Sequence, residues 1–255
     1  MDDYSIGCER KTCSNCENEN SLSFDFTMAF QPIVDVEKHT IFGYEALVRG
    51  LNNESAWSII SRVNETNRYT FDQLCRVKAI ALAAKLNIDT YLSINFLPNA
   101  IYKPERCIRT TLEAAKKYNF PTERIMFEFT EVEKVEDSHH IELVVKYYQS
   151  LGFLTATDDF GAGYSGLNLL ADFQTNIVKL DMALIRNIHV DPVRQSIVAN
   201  CLRIFKDLNI TALAEGIEII EEFVWLKEAG VTLMQGYLFA KPGFECLPSV
   251  DFGKL

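Results

Sequence analysis

Stretches of apolar residues recur along the chain, and segments whose apolar positions repeat every three or four residues separate most of them. Strand-like stretches rich in Val, Ile, Phe and Tyr lie at 26–36, 41–50, 91–97, 124–131, 154–161, 177–182, 210–218 and 233–240. Helix-like segments between them cover 71–86, 107–120, 141–152, 193–208 and 221–230. Strand and helix in regular alternation predict parallel strands joined by crossover helices.

About eight strands in one run of alternation predict an α/β fold, a closed (β/α)8 barrel of the TIM type. The first two strands are joined by the short segment EKHT, residues 37–40, which is too short for a crossover helix. We therefore expect these two strands to pair antiparallel, so that the barrel is modified near its start. No low-complexity linker interrupts the alternation after about residue 24, which predicts one domain there.

The composition is that of a globular protein, since hydrophobic residues make up 48% of the 255 residues. The formal net charge of -10 argues against DNA or RNA binding through a broad basic surface. A small anionic ligand would need local cations. No apolar run reaches the length of a membrane span, and the N-terminus lacks the basic and apolar parts of a signal peptide. We therefore expect no membrane partner and a cytoplasmic location.

The seven cysteines are divided between a polar leader, residues 1–22, and the rest of the chain. Cys8, Cys13 and Cys16 have the spacing C-x4-C-x2-C, which could hold zinc or an iron–sulfur centre. A structural zinc site normally needs four ligands, so a flexible, reduced leader is favoured. The remaining cysteines lie in apolar or helical segments and are expected to be buried thiols: Cys75, Cys107, Cys201 and Cys246.

Polar residues occur near the C-terminal ends of the otherwise apolar strands. They are Glu45, Asn95, Glu128, Asp158, Asp159, Lys179, Asp181, Glu215, Glu218 and Gln235. A single acid of this kind is most often a paired structural residue, because an unpaired charge in a buried strand is costly. The whole series favours a shared site, because the C-terminal ends of barrel strands converge on one mouth where active sites lie.

The chemistry of this set predicts a site for hard divalent cations. Carboxylates that share one mouth repel one another unless a counter-charge is present. Carboxylate and amide oxygens suit magnesium or manganese, and the set lacks the His and Cys ligands that zinc prefers. Two adjacent ions would account for so many acids, and such pairs serve phosphoester hydrolysis.

The stretch TATDDFGAGYSG, residues 155–166, contains two familiar patterns. Its G-x-G-x-x-G could bind a dinucleotide, but Asp158 and Asp159 directly precede the glycines and would repel a pyrophosphate. Its D-F-G is typical of protein kinases, but the sequence has no H-R-D catalytic loop. The glycines are better explained by a loop that closes over the mouth.

Eight segments in order resemble the EAL-domain family of cyclic di-GMP phosphodiesterases. They are FQPIV (30–34), EALVR (45–49), SINF (93–96), EFTE (128–131), DDFGAGYSGL (158–167), VKLD (178–181), AEGIE (214–218) and QGYLFAKP (235–242). The resemblance implies an EAL phosphodiesterase domain over residues 23–255. It also implies a modified barrel that uses two Mg²⁺ or Mn²⁺ ions to hydrolyse cyclic di-GMP to linear pGpG.

The resemblance assigns a role to each matching position. Metal ligands would be Glu45, Asn95, Glu128, Asp158 and Asp159, with Asp158 shared by two ions. The catalytic set would be Lys179 as a cation beside the attacking water, Glu215 as the general-base candidate and Gln235 as an orienting amide. Substrate contacts would come from Gln31, Arg49 and Asp181. Support for the DDFG loop and the metal site would come from Glu131 and Glu218.

Departures from the family pattern are mild. Ala162 and Ile219 stand where the family commonly has threonine, and neither position is a ligand. Every ligand position is filled, which favours an active phosphodiesterase. A catalytically silent cyclic di-GMP receptor and a protein-interaction module remain as alternatives. A homodimer is left open, since members of the family often dimerise beside the DDFG loop.

Overall fold

The computed structural model describes residues 22–97, 101, 103–130, 138–163 and 166–255. The predicted leader cysteines, Cys8, Cys13 and Cys16, lie outside the described residues. The same is true of Glu131, the predicted support of the DDFG loop.

Eight strands form a closed barrel. They are β1 (Thr27–Asp35), β2 (Thr40–Arg49), β3 (Tyr91–Asn95), β4 (Ile125–Thr130), β5 (Leu154–Phe160), β6 (Ile177–Leu180), β7 (Thr211–Ala214) and β8 (Leu233–Met234). Strands β2 to β8 pair in parallel in chain order, and β1 closes the ring by pairing antiparallel with both β2 and β8. A ninth strand, β9 (Gly243–Phe244), pairs with β1 outside the ring. The predicted α/β barrel with an antiparallel strand near its start is confirmed.

Helices connect the strands on the outside. Within the described residues they are α1 (Ala56–Ile60), α2 (Arg68–Lys85), α3 (Pro104–Cys107), α4 (Arg109–Lys117), α5 (Ser138–Ser150), α6 (Gly166–Asp172), α7 (Met182–Ile185), α8 (Pro192–Asp207) and α9 (Ile220–Glu228). The predicted helix at 107–120 corresponds to α4, which is shorter at both ends. Helices α1, α3, α6 and α7 were not predicted, because four to seven residues are too few to show a helical period.

Two layers of side chains fill the barrel interior. The lower layer is an apolar cluster contributed by six strands: Ile33, Met126, Ala156, Ile177, Leu213 and Leu233. Side chains alternate between the two faces of a strand, so the residue two positions nearer the mouth points into the same interior. Those residues are Gln31, Glu128, Asp158, Lys179, Glu215 and Gln235. The fold therefore places the predicted polar series directly above an apolar floor.

The burial of the cysteines is only partly as predicted. Cys75 and Cys107 are buried free thiols, whereas Cys201 is half-buried and Cys246 is exposed. Cys246 follows the two-residue strand β9, which pairs with β1 outside the ring. Among the helices of the described part of the chain, none is both long and apolar enough to cross a membrane.

Candidate active site

Lys179 lies at the centre of the polar layer and is completely buried. Its Nζ is 2.6 Å from Glu128 Oε2, 2.8 Å from Glu215 Oε1 and 3.0 Å from Asp158 Oδ1. Glu45 Oε2 is further away, at 3.8 Å. Four carboxylates from four different strand ends therefore surround a single ammonium group. The cluster is net negative when all four acids are ionised.

Amide side chains hold the carboxylate of Glu45 from both sides. Asn95 Nδ2 donates to Glu45 Oε1 at 2.9 Å, and Gln235 Nε2 donates to Glu45 Oε2 at 2.9 Å. Gln235 also reaches Gln31 Oε1 at 3.3 Å, and Gln31 Nε2 donates to the carbonyl of Ala240 at 3.1 Å. Both amide nitrogens are used, so the amide oxygens of Asn95 and Gln235 are the atoms left for another partner.

A β-bulge in β5 brings two consecutive acids to the same site. The register between β5 and β6 shifts between Thr157 and Phe160, and Asp159 has a positive φ of 56°. In a regular strand, neighbouring side chains point to opposite faces, so only one of the two acids would reach the interior. The bulge turns Asp159 toward the same side as Asp158. One carboxylate oxygen each from Asp158, Asp159 and Glu215 consequently lie within 4.8 Å of one another.

Burial and neighbouring charges shift the pKa of four side chains at this site. Burial raises the pKa of Glu128 to about 8 although Lys179 opposes the shift, and it raises the pKa of Glu215 well above the usual range. Burial, together with the charge of Asp158, raises the pKa of Asp159 to about 6. Burial alone would lower the pKa of Lys179, but the surrounding carboxylates raise it well above its usual value. The site therefore favours bound cations or bound protons.

The chemistry of the donors fits a pair of divalent cations. Two groups of three carboxylates have oxygens within 4.8 Å of one another, and both groups contain Asp158. The first group adds Glu45 and Glu128, and the second adds Asp159 and Glu215. In addition, Gln235 Oε1 is buried and has no hydrogen-bond partner among the protein atoms, so it is an oxygen donor available to a cation beside Glu45. Oxygen donors of this kind suit Mg²⁺, Mn²⁺ or Ca²⁺.

Three predicted residues lie outside this cluster. Asp181 follows β6 and caps α7 by accepting from Ala183 N at 2.8 Å. The guanidinium of half-buried Arg49 donates to the carbonyl of Val48 at 2.7 Å. Glu218 pairs with Arg186 at 2.9 Å. The structure therefore separates Arg49, Asp181 and Glu218 from the metal-ligand candidates, whereas Gln31, the remaining predicted substrate contact, lies beside Gln235 in the polar layer.

Ser93 was missed by the sequence reasoning. It is completely buried, and its hydroxyl donates to Glu128 Oε1, opposite the oxygen that binds Lys179. Ser93 lies two positions before Asn95 on β3, so the alternation of side chains would have placed it on the same face. Its small hydroxyl gave no sign of charge or metal chemistry in the sequence.

A cavity of about 400 Å³ opens beside Asn95. Its walls are mainly apolar, with Val48, Val63, Phe71 and Phe96 among them, and Asp72 and Arg68 add charged groups. Ligand sites are typically apolar cavities that carry a few polar groups. The cavity borders the carboxylate cluster at Asn95.

Comparison with known proteins identifies the family of this arrangement. The family model described as "EAL domain" matches residues 18–242. A solved structure of a standalone versatile EAL protein from Vibrio cholerae O395, in a c-di-GMP-bound form, is 75% identical, with a TM-score of 0.90, and covers 92% of this chain and 100% of that one. A manganese/cy-diGMP complex of BlrP1 from Klebsiella pneumoniae is 34% identical with a TM-score of 0.82, covering 88% of this chain and 58% of that one.

Two curated relatives from Escherichia coli K12 are each 32% identical to the chain. The blue light- and temperature-regulated antirepressor BluF matches over 241 residues, which is 94% of this chain and 59% of BluF. The cyclic di-GMP phosphodiesterase PdeR matches over 197 residues, which is 77% of this chain and 27% of PdeR. The chain thus spans between about a quarter and three fifths of the length of these relatives.

Proposed function

Because the chain belongs to the EAL domain family, we propose that it hydrolyses cyclic di-GMP to linear pGpG by two-metal-ion phosphodiester hydrolysis. The observation that carries this proposal is the pair of carboxylate groups that share Asp158 around the buried Lys179. A degenerate site would lack one of these ligands, whereas all the described candidates are present and within reach of one another. PdeR, a relative of this chain, is named a cyclic di-GMP phosphodiesterase.

The residues present fit Mg²⁺ or Mn²⁺ at two positions. Glu45, Glu128, Asp158 and the amide oxygen of Asn95 would hold the first ion. Asp158 would be shared with a second ion, which Asp159 and Glu215 would also hold. When bound, such a pair stabilises the attacking and leaving oxygens of a phosphodiester displacement. The related BlrP1 structure contains manganese together with cy-diGMP, in agreement with this assignment.

Lys179 and Glu215 would act on the attacking water. Lys179 is fixed by three close carboxylates, so its ammonium group is held ready to stabilise negative charge that develops on an oxygen at the mouth. Of the four carboxylates around it, Glu215 has the most exposed side chain, at 18%. Glu215 is therefore the most solvent-accessible of these four acids. It would be the general base if the water needs one, and activation of the water by the ions would leave it mainly a metal ligand.

The substrate would be gripped at the edge of the cluster. Arg49 would bind a phosphate through its guanidinium fork. Gln31 and Asp181 would contact the substrate on the two sides of the mouth, from β1 and from the start of α7. The apolar cavity beside Asn95 has room for one guanine base.

Chromatography of the reaction products separates the three candidate functions. The chain is mixed with cyclic di-GMP in Mn²⁺, and binding is measured in parallel in Ca²⁺. An active enzyme gives pGpG, and this is the expected result. The alternative is a silent receptor, which would bind the nucleotide and give no product; the name of the antirepressor BluF shows that not every relative is named as an enzyme. A protein-interaction module would neither bind nor hydrolyse it.

A further inference from the structure

Helix α7 packs between the segment that follows β5, directly after Asp158 and Asp159, and the segment that follows β7 and contains Glu215. On one side, a Cβ added to Gly216 would come within 2.5 Å of Met182 Cβ, and on the other a Cβ added to Gly161 would overlap Leu184. Backbone bonds join the chain before α7 to the same two loops. Asp181 N donates to the carbonyl of Phe160 at 3.1 Å, and Glu215 N donates to the carbonyl of Leu180 at 3.1 Å.

Glu222, a buried acid on α9, binds the backbone just after the C-terminal end of α7. Glu222 is completely buried, and its Oε1 accepts from the backbone N of Asn187 at 2.9 Å. Its Oε2 accepts from the backbone N of Glu218 at 3.3 Å and lies 3.5 Å from Arg186 Nη1. One carboxylate thus ties the segment after α7 to the loop that follows Glu215.

Arg186 makes the same connection from the α7 side. Its Nη2 donates to the carbonyl of Gly216 at 3.2 Å and lies 2.9 Å from Glu218 Oε1. Gly216 is the residue directly after Glu215, so this bond fixes the backbone beside the proposed general base. Together, the Arg186 guanidinium and the Glu222 carboxylate bind one group after α7 and three in the loop after β7. These groups are Asn187 N, Gly216 O, Glu218 N and Glu218 Oε1.

We propose that Arg186 and Glu222 are positioning residues that set Glu215 against Asp158 and Asp159 and so build the second metal position. This inference rests on the proposed function. The ligands of the first position, Glu45, Glu128 and Asp158, lie on strands whose spacing is fixed by the hydrogen bonds of the barrel. Asp159 lies in a bulge and Glu215 lies beyond the end of β7, so their separation depends on α7 and on what holds it. Loss of Arg186 or Glu222 should therefore weaken one ion and leave the other in place.

Calorimetric titration of the metal-free chain with Mn²⁺ tests this directly, without reference to turnover. The test variants are Arg186→Ala, which truncates a partly exposed side chain, and Glu222→Gln, which keeps the volume of the buried one. Val198→Ala is the control for general destabilisation, because Val198 is completely buried in the same core cluster as Ile185 and Phe223, and its apolar side chain takes no part in the hydrogen bonds and ion pairs of Arg186 and Glu222. Arg186→Lys tests rescue by a second cation.

We expect the wild-type chain to bind two Mn²⁺ ions. Arg186→Ala and Glu222→Gln should keep one ion within about twofold of wild-type affinity and weaken the other about tenfold or more, as is usual when residues that orient metal ligands are lost. Val198→Ala should keep both affinities at a lowered melting temperature, and Arg186→Lys should recover part of the loss.

Two results would overturn the positioning role. One is that Arg186→Ala and Glu222→Gln bind both Mn²⁺ ions with the same affinities as Val198→Ala. The other is that both ions are weakened equally, since that would reflect general loosening of the barrel. If the wild-type chain bound no Mn²⁺ at all, the proposed two-metal function itself would be contradicted, and this inference would fall with it.

Discussion

Lys179 sets the electrostatic balance of the mouth, because it is the cation at the centre of four acids. Lys179→Met removes that charge and leaves buried carboxylates facing one another. Removing one partner of a buried ion pair costs about 3–5 kcal/mol, so we expect the metal-free chain to unfold at clearly lower urea concentration. Lys38→Met is the control, because the Lys38 side chain is 75% exposed and its pair with Asp35 should contribute little. Urea unfolding in EDTA measures the free energy of unfolding of both variants. Equal losses of stability in Lys179→Met and Lys38→Met would contradict the central role of Lys179 in the cluster.

Glu45 is the acid whose two oxygens are both held in place by amides. Glu45→Gln removes a metal-ligand charge and sets a new NH₂ group against the donor of Asn95 or Gln235. We expect turnover of cyclic di-GMP to fall about a thousandfold or more, because a two-metal site loses both a ligand and the charge that holds the ion. Glu37→Gln changes an exposed acid in the β1–β2 turn and should leave turnover unchanged. Near wild-type turnover by Glu45→Gln at saturating Mn²⁺ would rule out the first metal position.

The raised pKa values of Glu128, about 8, and Asp159, about 6, predict a pH dependence of metal binding. In the metal-free chain these acids favour folding below their unfolded pKa values, and that contribution is lost as the pH rises through the folded values. A divalent cation needs the ionised carboxylates, so the stabilisation by metal should grow between about pH 5 and about pH 9. The difference between the melting temperatures in Mn²⁺ and in EDTA measures this stabilisation at each pH. A difference that stays constant or shrinks with rising pH would contradict the assignment.

Among the elements, the β5 bulge and α7 depend on each other through Gly161. Gly161 has a φ of 99°, and an added Cβ would also overlap Leu184 of α7. Gly152 is the matched control, because its φ is 89° and an added Cβ would meet no atom within 4 Å. Both alanine variants should lose about 1–2 kcal/mol of stability from the backbone conformation alone. We expect only Gly161→Ala to lose turnover, by about tenfold to a hundredfold, because displaced acids are misplaced for chemistry. Urea unfolding measures the stability of both variants, and product assays measure their turnover. Equal losses of turnover in Gly161→Ala and Gly152→Ala would contradict this coupling.

The long elements were predictable from the sequence, and the short ones were not. Strands β1 and β2 are long, largely apolar stretches, and helices α2 and α8 have enough residues to show a helical period. The predicted bounds of all four are close to the observed ones. The β8 strand was predicted over eight residues but has two. Beyond Gln235 the backbone turns at Gly236, where Phe239 N donates to Gly236 O at 3.1 Å and the backbone of Ile217 fills the space of a side chain. No local pattern announces such a tertiary contact.

For the molecule as a whole, the convergence of acids was predictable because barrel strands end at one mouth. Sequence order could not give the central position of Lys179 among the carboxylates, since it depends on side chains from β2, β4, β5 and β7 meeting in three dimensions. The bulge that aims Asp158 and Asp159 at the same site was also hidden, because a regular strand would send them to opposite faces. The roles of the individual residues remain predictions.

The most direct measurement of the central claim is product formation from cyclic di-GMP after removal and return of metal. The chain is stripped with EDTA, freed of the chelator and incubated with the nucleotide, before and after addition of Mn²⁺, and the products are separated by anion-exchange chromatography. We expect no product without metal, pGpG after Mn²⁺ is returned, and none from Glu45→Gln under the same conditions. Product formed in the absence of metal, or intact cyclic di-GMP in the presence of a chain shown to have bound both ions, would contradict the account.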